Sequence, residues 1–192
     1  VAAIRAAFPG PLVVDADTGF GNPLNMVRTV ELLERAGADA LQIEDQVFPK
    51  RCGHFAGKEV IPAAEMVEKV KAAVDTRRDR DLLIIARTDV VTNEGFEAGM
   101  ERAQKFIEAG ADLTFIEAVQ TVEELTSIPQ RLSVPQVLNI VVGGKTPVMD
   151  QAELARLTER SGRPAGDVRP LEEALAAAVQ AADEAAAALA VA

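Results

Sequence analysis

Apolar residues recur along this chain in two alternating rhythms. Short aliphatic and β-branched runs, each followed by polar or charged residues, predict strands at Leu12–Asp17, Ala40–Glu44, Leu82–Ala86, Leu113–Glu117 and Gln136–Val141. Between them the apolar positions fall at helical spacing. Leu24, Val27, Val30 and Leu33 share one face of a helix that Asn22-Pro23 opens and Ala36-Gly37 stops. Met66, Val67, Val70 and Val74 line a helix over Pro62–Thr76, and Phe96–Ala109 forms another. Thr121-Val-Glu-Glu124 is a capping box for a short helix, Asp150-Gln-Ala-Glu153 has the form of another helix start, and Val1–Phe8 reads as the end of a helix.

Strands alternating with helices predict a parallel sheet built from βα units. An internal echo narrows the architecture: Ala36-Gly-Ala-Asp-Ala-Leu-Gln-Ile-Glu44 resembles Ala109-Gly-Ala-Asp-Leu-Thr-Phe-Ile-Glu117. A unit of helix stop, strand and terminal glutamate that recurs is expected of a barrel. The fold class is therefore α/β, with βα units recurring around a barrel and five strands legible. Residues 1–157 form the partial barrel; residues 158–192 form a polar linker and an Ala-rich helix suited to a subunit contact.

In such barrels the chemistry sits at the C-terminal ends of the strands. Here those ends carry Asp15, Asp17, Glu44, Arg87, Glu117 and Asn139. In extended chain, Asp15 and Asp17 project to one face roughly 6–7 Å apart. Two charges at that separation repel by about 2–3 kcal/mol at an effective dielectric of about 20, so a buried pair calls for a proton, water or a cation such as Mg²⁺. The alternative is that Asp17 or Thr18 simply starts a turn. Arg87 at the sheet rim suits bidentate capture of a substrate carboxylate, or else a structural ion pair with Asp89, Glu44 or Glu117.

The long loop Asp45–Val60 holds the chain's single cysteine and single histidine in Lys50-Arg51-Cys52-Gly53-His54. Positive neighbours favour the thiolate, which makes Cys52 usable as an acid, base or nucleophile; a small buried hydrophobe is the plainer alternative. One Cys and one His leave a zinc site short of ligands. Gly143-Gly144-Lys145-Thr146 lacks the first glycine of a phosphate loop and reads as a plain loop.

Composition sets outer bounds. The chain has 192 residues, 48% of them hydrophobic and 26% charged, enough for one domain with a sizeable core. Its formal net charge of −10 and lack of a basic patch argue against nucleic acid and anionic membranes as partners. No apolar run reaches the roughly 20 residues of a membrane span, and Val1-Ala-Ala-Ile-Arg5 lacks the layout of a secretory leader. With one cysteine and so no internal disulfide, a cytoplasmic setting is expected.

Six stretches taken together resemble the isocitrate lyase / phosphoenolpyruvate mutase superfamily. They are Asp15-Ala-Asp-Thr-Gly-Phe-Gly-Asn22, Ile43-Glu-Asp-Gln46, Phe48-Pro-Lys-Arg-Cys-Gly-His54, Ala86-Arg-Thr-Asp89, Phe115-Ile-Glu-Ala118 and Leu138-Asn139, in family order between about Leu12 and Leu157. Lys-Arg-Cys-Gly-His is most similar to the carbon–carbon lyase branch, which includes 2-methylisocitrate lyase and dimethylmalate lyase. The resemblance implies a (β/α)8 TIM-type barrel, of which about five of eight strands are present in this sequence, Mg²⁺ or Mn²⁺, and a small 2-hydroxy or 2-oxo dicarboxylate-type substrate cleaved to release pyruvate or glyoxylate. It makes Asp15 and Asp17 metal-site carboxylates, with Glu44 helping to hold the ion's waters. Cys52 becomes the acid that protonates the leaving carbanion, His54 orients it, and Lys50 and Arg87 join them in the catalytic group. Cys52, Gly53, Arg87, Glu117 and Asn139 become substrate contacts.

Relatives of this kind imply a homo-oligomer, dimer or tetramer, with Leu171–Ala192 as the contact. They also imply two further strands and an acidic residue near the metal that this sequence does not contain. An oxaloacetate-type decarboxylase or phosphonomutase of the same superfamily is the alternative activity, and an inactive assembly element the alternative of another class.

Overall fold

The computed structural model describes residues 1–50, 58–140, 146, 147 and 149. Cys52, Gly53 and His54, the glycine pair at 143–144, the helix start at 150 and the tail 158–192 lie outside the described residues.

The elements run α1 (Ala2–Ala7), β1 (Val13–Asp15), α2 (Pro23–Arg35), β2 (Ala40–Glu44), α3 (Ala63–Thr76), β3 (Leu83–Thr88), α4 (Val91–Glu94), α5 (Phe96–Glu108), β4 (Leu113–Ile116) and α6 (Val122–Arg131). The four strands are parallel and lie in chain order, β1-β2-β3-β4. A doubly wound sheet reverses its order at a switch point; a barrel does not. The sheet is that of a TIM-type barrel.

Local chemistry explains most boundaries. Asn22 caps α2 by accepting from Leu24 N at 3.0 Å and Asn25 N at 3.3 Å, while Asn25 Oδ1 accepts from Asn22 N at 3.1 Å. Pro23 follows in the first turn, where its missing N–H costs nothing. The capping box at Thr121 and Glu124 is present and reciprocal. Gly37 and Gly110 end α2 and α5 with φ of 89° and 100°, a left-handed conformation that glycine adopts without steric cost.

The sheet has two unlike faces. On the helix side, Leu41, Ile43, Ile84 and Ala86 pack with Met26, Val30, Met66, Val70 and Phe106 in the main core. On the other face, that of a barrel interior, Ala40, Ile85, Leu113 and Phe115 pack together. By the two-residue alternation of strands, Glu44 and Arg87 belong to this second face, and the register pairs them. A third cluster joins α5, α6 and β4 through Met100, Ala103, Ile116, Leu125 and Ile128.

Several expectations are corrected. Leu24 is not on the packed face of α2: it is 79% exposed, and Met26 and Thr29 are buried with Val30 instead, because the stripe facing the sheet lies on the opposite side of the helix from Leu24. The strand expected over Gln136–Val141 is, among the described residues, a single parallel bridge from Gln136 to Thr114, with Val137 N donating to Thr114 O at 2.9 Å. Its place beside β4 is the expected one; its length is not. β1 stops at Asp15, and β3 runs on to Thr88, so Arg87 stands within a strand. α4 was not expected from the apolar pattern, being only four residues long.

Candidate active site

At the C-terminal ends of β1 and β2, three carboxylates converge on one ammonium. Lys50 Nζ lies 2.7 Å from Asp15 Oδ2, 2.6 Å from Asp17 Oδ1 and 3.7 Å from Glu44 Oε2. Asp15 and Asp17 meet there by a route other than simple strand alternation. The chain leaves β1 after Asp15, and Asp17 takes a left-handed φ of 52°, with its N–H donating to Asp15 Oδ1 at 2.9 Å. The turn then closes through Gly19 N to Ala16 O at 2.9 Å.

Glu44 is 1% exposed, and its Oε1 has no hydrogen-bond partner among the described residues. Burial raises its pKa; Arg87 and Lys50 oppose that, and nearby Asp89 and Asp15 add to it, leaving the carboxyl pushed up to about 7. Burial works against the charge on Lys50 as well, but its hydrogen bonds to Asp15 and Asp17 prevail and hold its pKa above the ordinary lysine value.

Arg87 joins the β2, β3 and β4 ends. Its Nε and Nη2 donate to Asp89 Oδ2 and Oδ1 at 2.8 and 3.0 Å. Nη2 also lies 3.1 Å from Glu117 Oε2, Nε lies 3.4 Å from Glu44 Oε2, and the guanidinium stacks 4.8 Å from the centre of the Phe115 ring. The structural ion pairs weighed for Arg87 are thus all formed. Bidentate capture of a substrate through the Nε–Nη2 edge is closed off, because Asp89 already holds that edge. Nη1 makes no hydrogen bond among the described residues. Glu117 is 2% exposed, and Glu117 Oε2 is close to Arg87 without accepting a well-aligned hydrogen bond. Asn139 is half-buried, three residues beyond the Gln136 bridge.

A buried polar network behind the site escaped the sequence reading. Asp45 accepts from Thr88 Oγ1 at 2.7 Å, Asp89 N at 2.9 Å and Arg102 Nη1 at 3.0 Å. Burial raises its pKa against the pull of these donors. Asp89 also receives Lys58 Nζ at 2.8 Å; burial alone would raise its pKa, but Arg87 and Lys58 hold it below the ordinary aspartate value. Asp45 lies in the Ile43-Glu-Asp-Gln46 stretch and Thr88 and Asp89 in Ala86-Arg-Thr-Asp89, but Lys58 and Arg102 belong to neither, and nothing in the sequence announced that they complete these buried carboxylates.

Residues 1–190 of the 192 match the family model described as phosphoenolpyruvate phosphomutase.

The chain belongs to the phosphoenolpyruvate phosphomutase family.

Within this family it is similar to the 2-methylisocitrate lyase of Aeropyrum pernix, 54% identical over 137 residues, which are 71% of this chain and 44% of that protein. Among solved structures it is similar to 2,3-dimethylmalate lyase, a PEP mutase/isocitrate lyase superfamily member, at a TM-score of 0.73 and 39% identity, covering 77% of this chain and 50% of the other. It is similar also to a phosphonopyruvate hydrolase in complex with oxalate and Mg²⁺, at a TM-score of 0.69 and 34% identity, covering 82% and 54%. The chain spans about half the length of the curated relatives it matches.

One of these similar proteins is complexed with Mg²⁺, and the side chains of this family member can be compared with what such an ion prefers. Asp15, Asp17 and Glu44 offer carboxylate oxygens, the hard donors that Mg²⁺ and Mn²⁺ prefer. They already gather around a positive charge, and Glu44 keeps a buried oxygen without a hydrogen-bond partner among the described residues. With the ammonium seated between them, no three His, Cys, Asp or Glu side chains among the described residues form a ready cage. In donor chemistry the residues fit a divalent ion, which would take the place of the Lys50 ammonium. Among the described residues no helix is long and apolar enough to cross a membrane.

Proposed function

We propose that this chain carries the cation- and carboxylate-binding part of a carbon–carbon lyase that cleaves a small 2-hydroxy di- or tricarboxylate of the methylisocitrate kind. The supporting observation is the convergence of Asp15, Asp17 and Glu44 on one cation beside Arg87, whose Nη1 makes no hydrogen bond among the described residues.

Asp15 and Asp17, with Glu44, would hold Mg²⁺ or Mn²⁺. Such an ion, when bound, polarises the substrate oxygen that becomes a carbonyl. Arg87 anchors a substrate carboxylate through Nη1, in a place where burial strengthens the attraction. Asp89 and Glu117 hold the guanidinium in position and leave it little freedom to follow a wrongly placed ligand. Gly53, Glu117 and Asn139 complete the substrate contacts.

Cleavage breaks the bond beside the hydroxyl-bearing carbon. The electron pair goes to the departing fragment, the hydroxyl proton passes to water as the carbonyl forms, and Cys52 gives its thiol proton to the enolate carbon. His54 orients the thiol, and Lys50, displaced from the carboxylates, adds positive charge near the substrate. The chain works as a homo-oligomer in the cytoplasm.

The test compares pyruvate or glyoxylate release from 2-methylisocitrate with turnover of oxaloacetate, using the wild-type chain, Asp15→Ala and Cys52→Ser with added Mg²⁺. We expect release from the 2-hydroxy acid and a loss of more than about 100-fold in Asp15→Ala, above what removal of an outer ligand partner costs. Full turnover by Cys52→Ser would remove the cysteine from its role, and turnover of oxaloacetate alone would replace the lyase by a decarboxylase.

A further inference from the structure

Two polar side chains on otherwise apolar helix faces point at the turn that bears the acidic pair. Every carbonyl from Ala16 to Gly19 is hydrogen-bonded. Ala16 O accepts from Gly19 N and Asp17 O from Glu44 N, both at 2.9 Å. The other two are held by side chains from the helix layer: Thr18 O by Lys69 Nζ and Gly19 O by Thr29 Oγ1, both at 3.1 Å. Lys69 is 3% exposed and shares its stripe of α3 with Met66, Val70 and Ala73. Its only hydrogen-bond partner among the described residues is that carbonyl.

A buried ammonium with one neutral acceptor is costly to keep, and a hydrophobic residue would serve the core better. Asp17, meanwhile, holds a left-handed φ of 52°, a conformation that a non-glycine residue keeps where the surroundings over-determine it. The two facts meet in the turn. We propose that Lys69, assisted by Thr29, is a positioning residue that fixes the Asp15–Gly19 turn from the helix side and thereby sets the affinity of the Asp15–Asp17–Glu44 carboxylates for a divalent cation. The inference rests on the proposed function above. It assigns Lys69 no contact with ion or substrate; the side chain acts through the Thr18 carbonyl.

Mn²⁺ binding to the full chain, followed by the electron paramagnetic resonance of free Mn²⁺, tests it at a temperature well below unfolding. Lys69→Met removes the donor while keeping the volume, Lys69→Arg restores a donor, and Thr29→Val removes the second clamp; thermal unfolding without metal runs in parallel. Expected are weakening of Mn²⁺ binding by about 10-fold or more in Lys69→Met, a smaller loss in Thr29→Val, and recovery to within about threefold in Lys69→Arg.

Unchanged affinity with a lowered melting temperature in Lys69→Met would leave Lys69 a merely structural part and overturn the inference. Tighter binding would do the same, since it would show that the ammonium acts only by repelling the cation. Should Lys69→Met fail to fold, Thr29→Val decides on the same readout, and wild-type affinity there overturns the clamp. If the wild-type chain takes up no Mn²⁺, the proposed function falls together with this inference; if it does and Lys69→Met matches it, this inference falls alone.

Discussion

The two ends of the βα units handle charge in opposite ways. At the N-terminal ends of the strands, the echoed Ala-Gly-Ala-Asp segments do the same job twice. Asp39 pairs with Arg5 and accepts from Leu12 N at 2.6 Å. Asp112 pairs with Arg77 and accepts from Ile84 N at 2.8 Å. One carboxylate meets one guanidinium and one backbone N–H, so each stitches the start of its strand to the preceding one. At the C-terminal ends the balance is unequal. Among the described residues Asp15, Asp17, Glu44, Asp89 and Glu117 share Lys50, Arg87 and Lys58, and buried oxygens of Glu44 and Glu117 are left without hydrogen bonds. A satisfied pair stabilises; an excess of buried, under-satisfied acceptors marks a place built for something that is added. The repeat is therefore structural at one end and divergent at the other.

That contrast can be broken by substitution. Asp112→Ala should have the largest effect on stability, about 1–3 kcal/mol, because it strips an acceptor from both Arg77 and Ile84 N. Mn²⁺ affinity should stay at the wild-type value. Asp39→Ala should cost less, since the Asp39 side chain is 48% exposed and water can replace it. Denaturant unfolding of the two variants measures both; equal losses, or a change in cation binding, would dissolve the distinction between the ends.

The pH dependence sharpens it. In metal-free protein Glu44 is pushed up to about 7 from 4.5, chiefly by burial, so the folded chain holds that proton more tightly than the unfolded chain. Its contribution is complete below about pH 4.5 and is lost as pH rises through about 7. Unfolding free energies between those values should fall with rising pH in the wild type, and Glu44→Gln should remove that part of the slope.

The smallest effect is expected at the surface pair Glu97–Arg131, where the hydrogen bond from Arg131 lowers the glutamate pKa. Its sign is opposite: the contribution is present above the ordinary glutamate value of 4.5 and is lost as pH falls. Glu97→Gln should move the melting temperature within the scatter of the measurement at neutral pH.

Particular residues show how far the chain could be read in advance. The capping pairs Asn22–Asn25 and Thr121–Glu124 lie within one turn, and for Thr121–Glu124 the spacing alone announces the bond. Glu44 and Glu117 were legible as strand ends because each closes an apolar run before the pattern breaks. Asp15 and Asp17 were rightly expected to share a target, but the expected reason, extended alternation, is replaced by the left-handed turn at Asp17. Leu24 misled because several apolar residues of α2 fit helical spacing in more than one way, and the stripe that packs runs through Met26, Thr29 and Val30 on the opposite side.

The sequence by itself determined the order of strands and helices, the parallel α/β class and the gathering of acidic residues at strand ends, since these follow from periodicities of two and 3.6 and from local turn chemistry. Only the tertiary structure decided that Asp89 occupies the useful edge of Arg87, that Lys50 sits among three carboxylates, and that Lys69 and Thr29 hold the turn from behind. Those partners lie on different elements, and neither spacing nor composition encodes which distant side chain completes a buried group's hydrogen bonds. Packing brings them together, and burial then makes each choice energetically decisive.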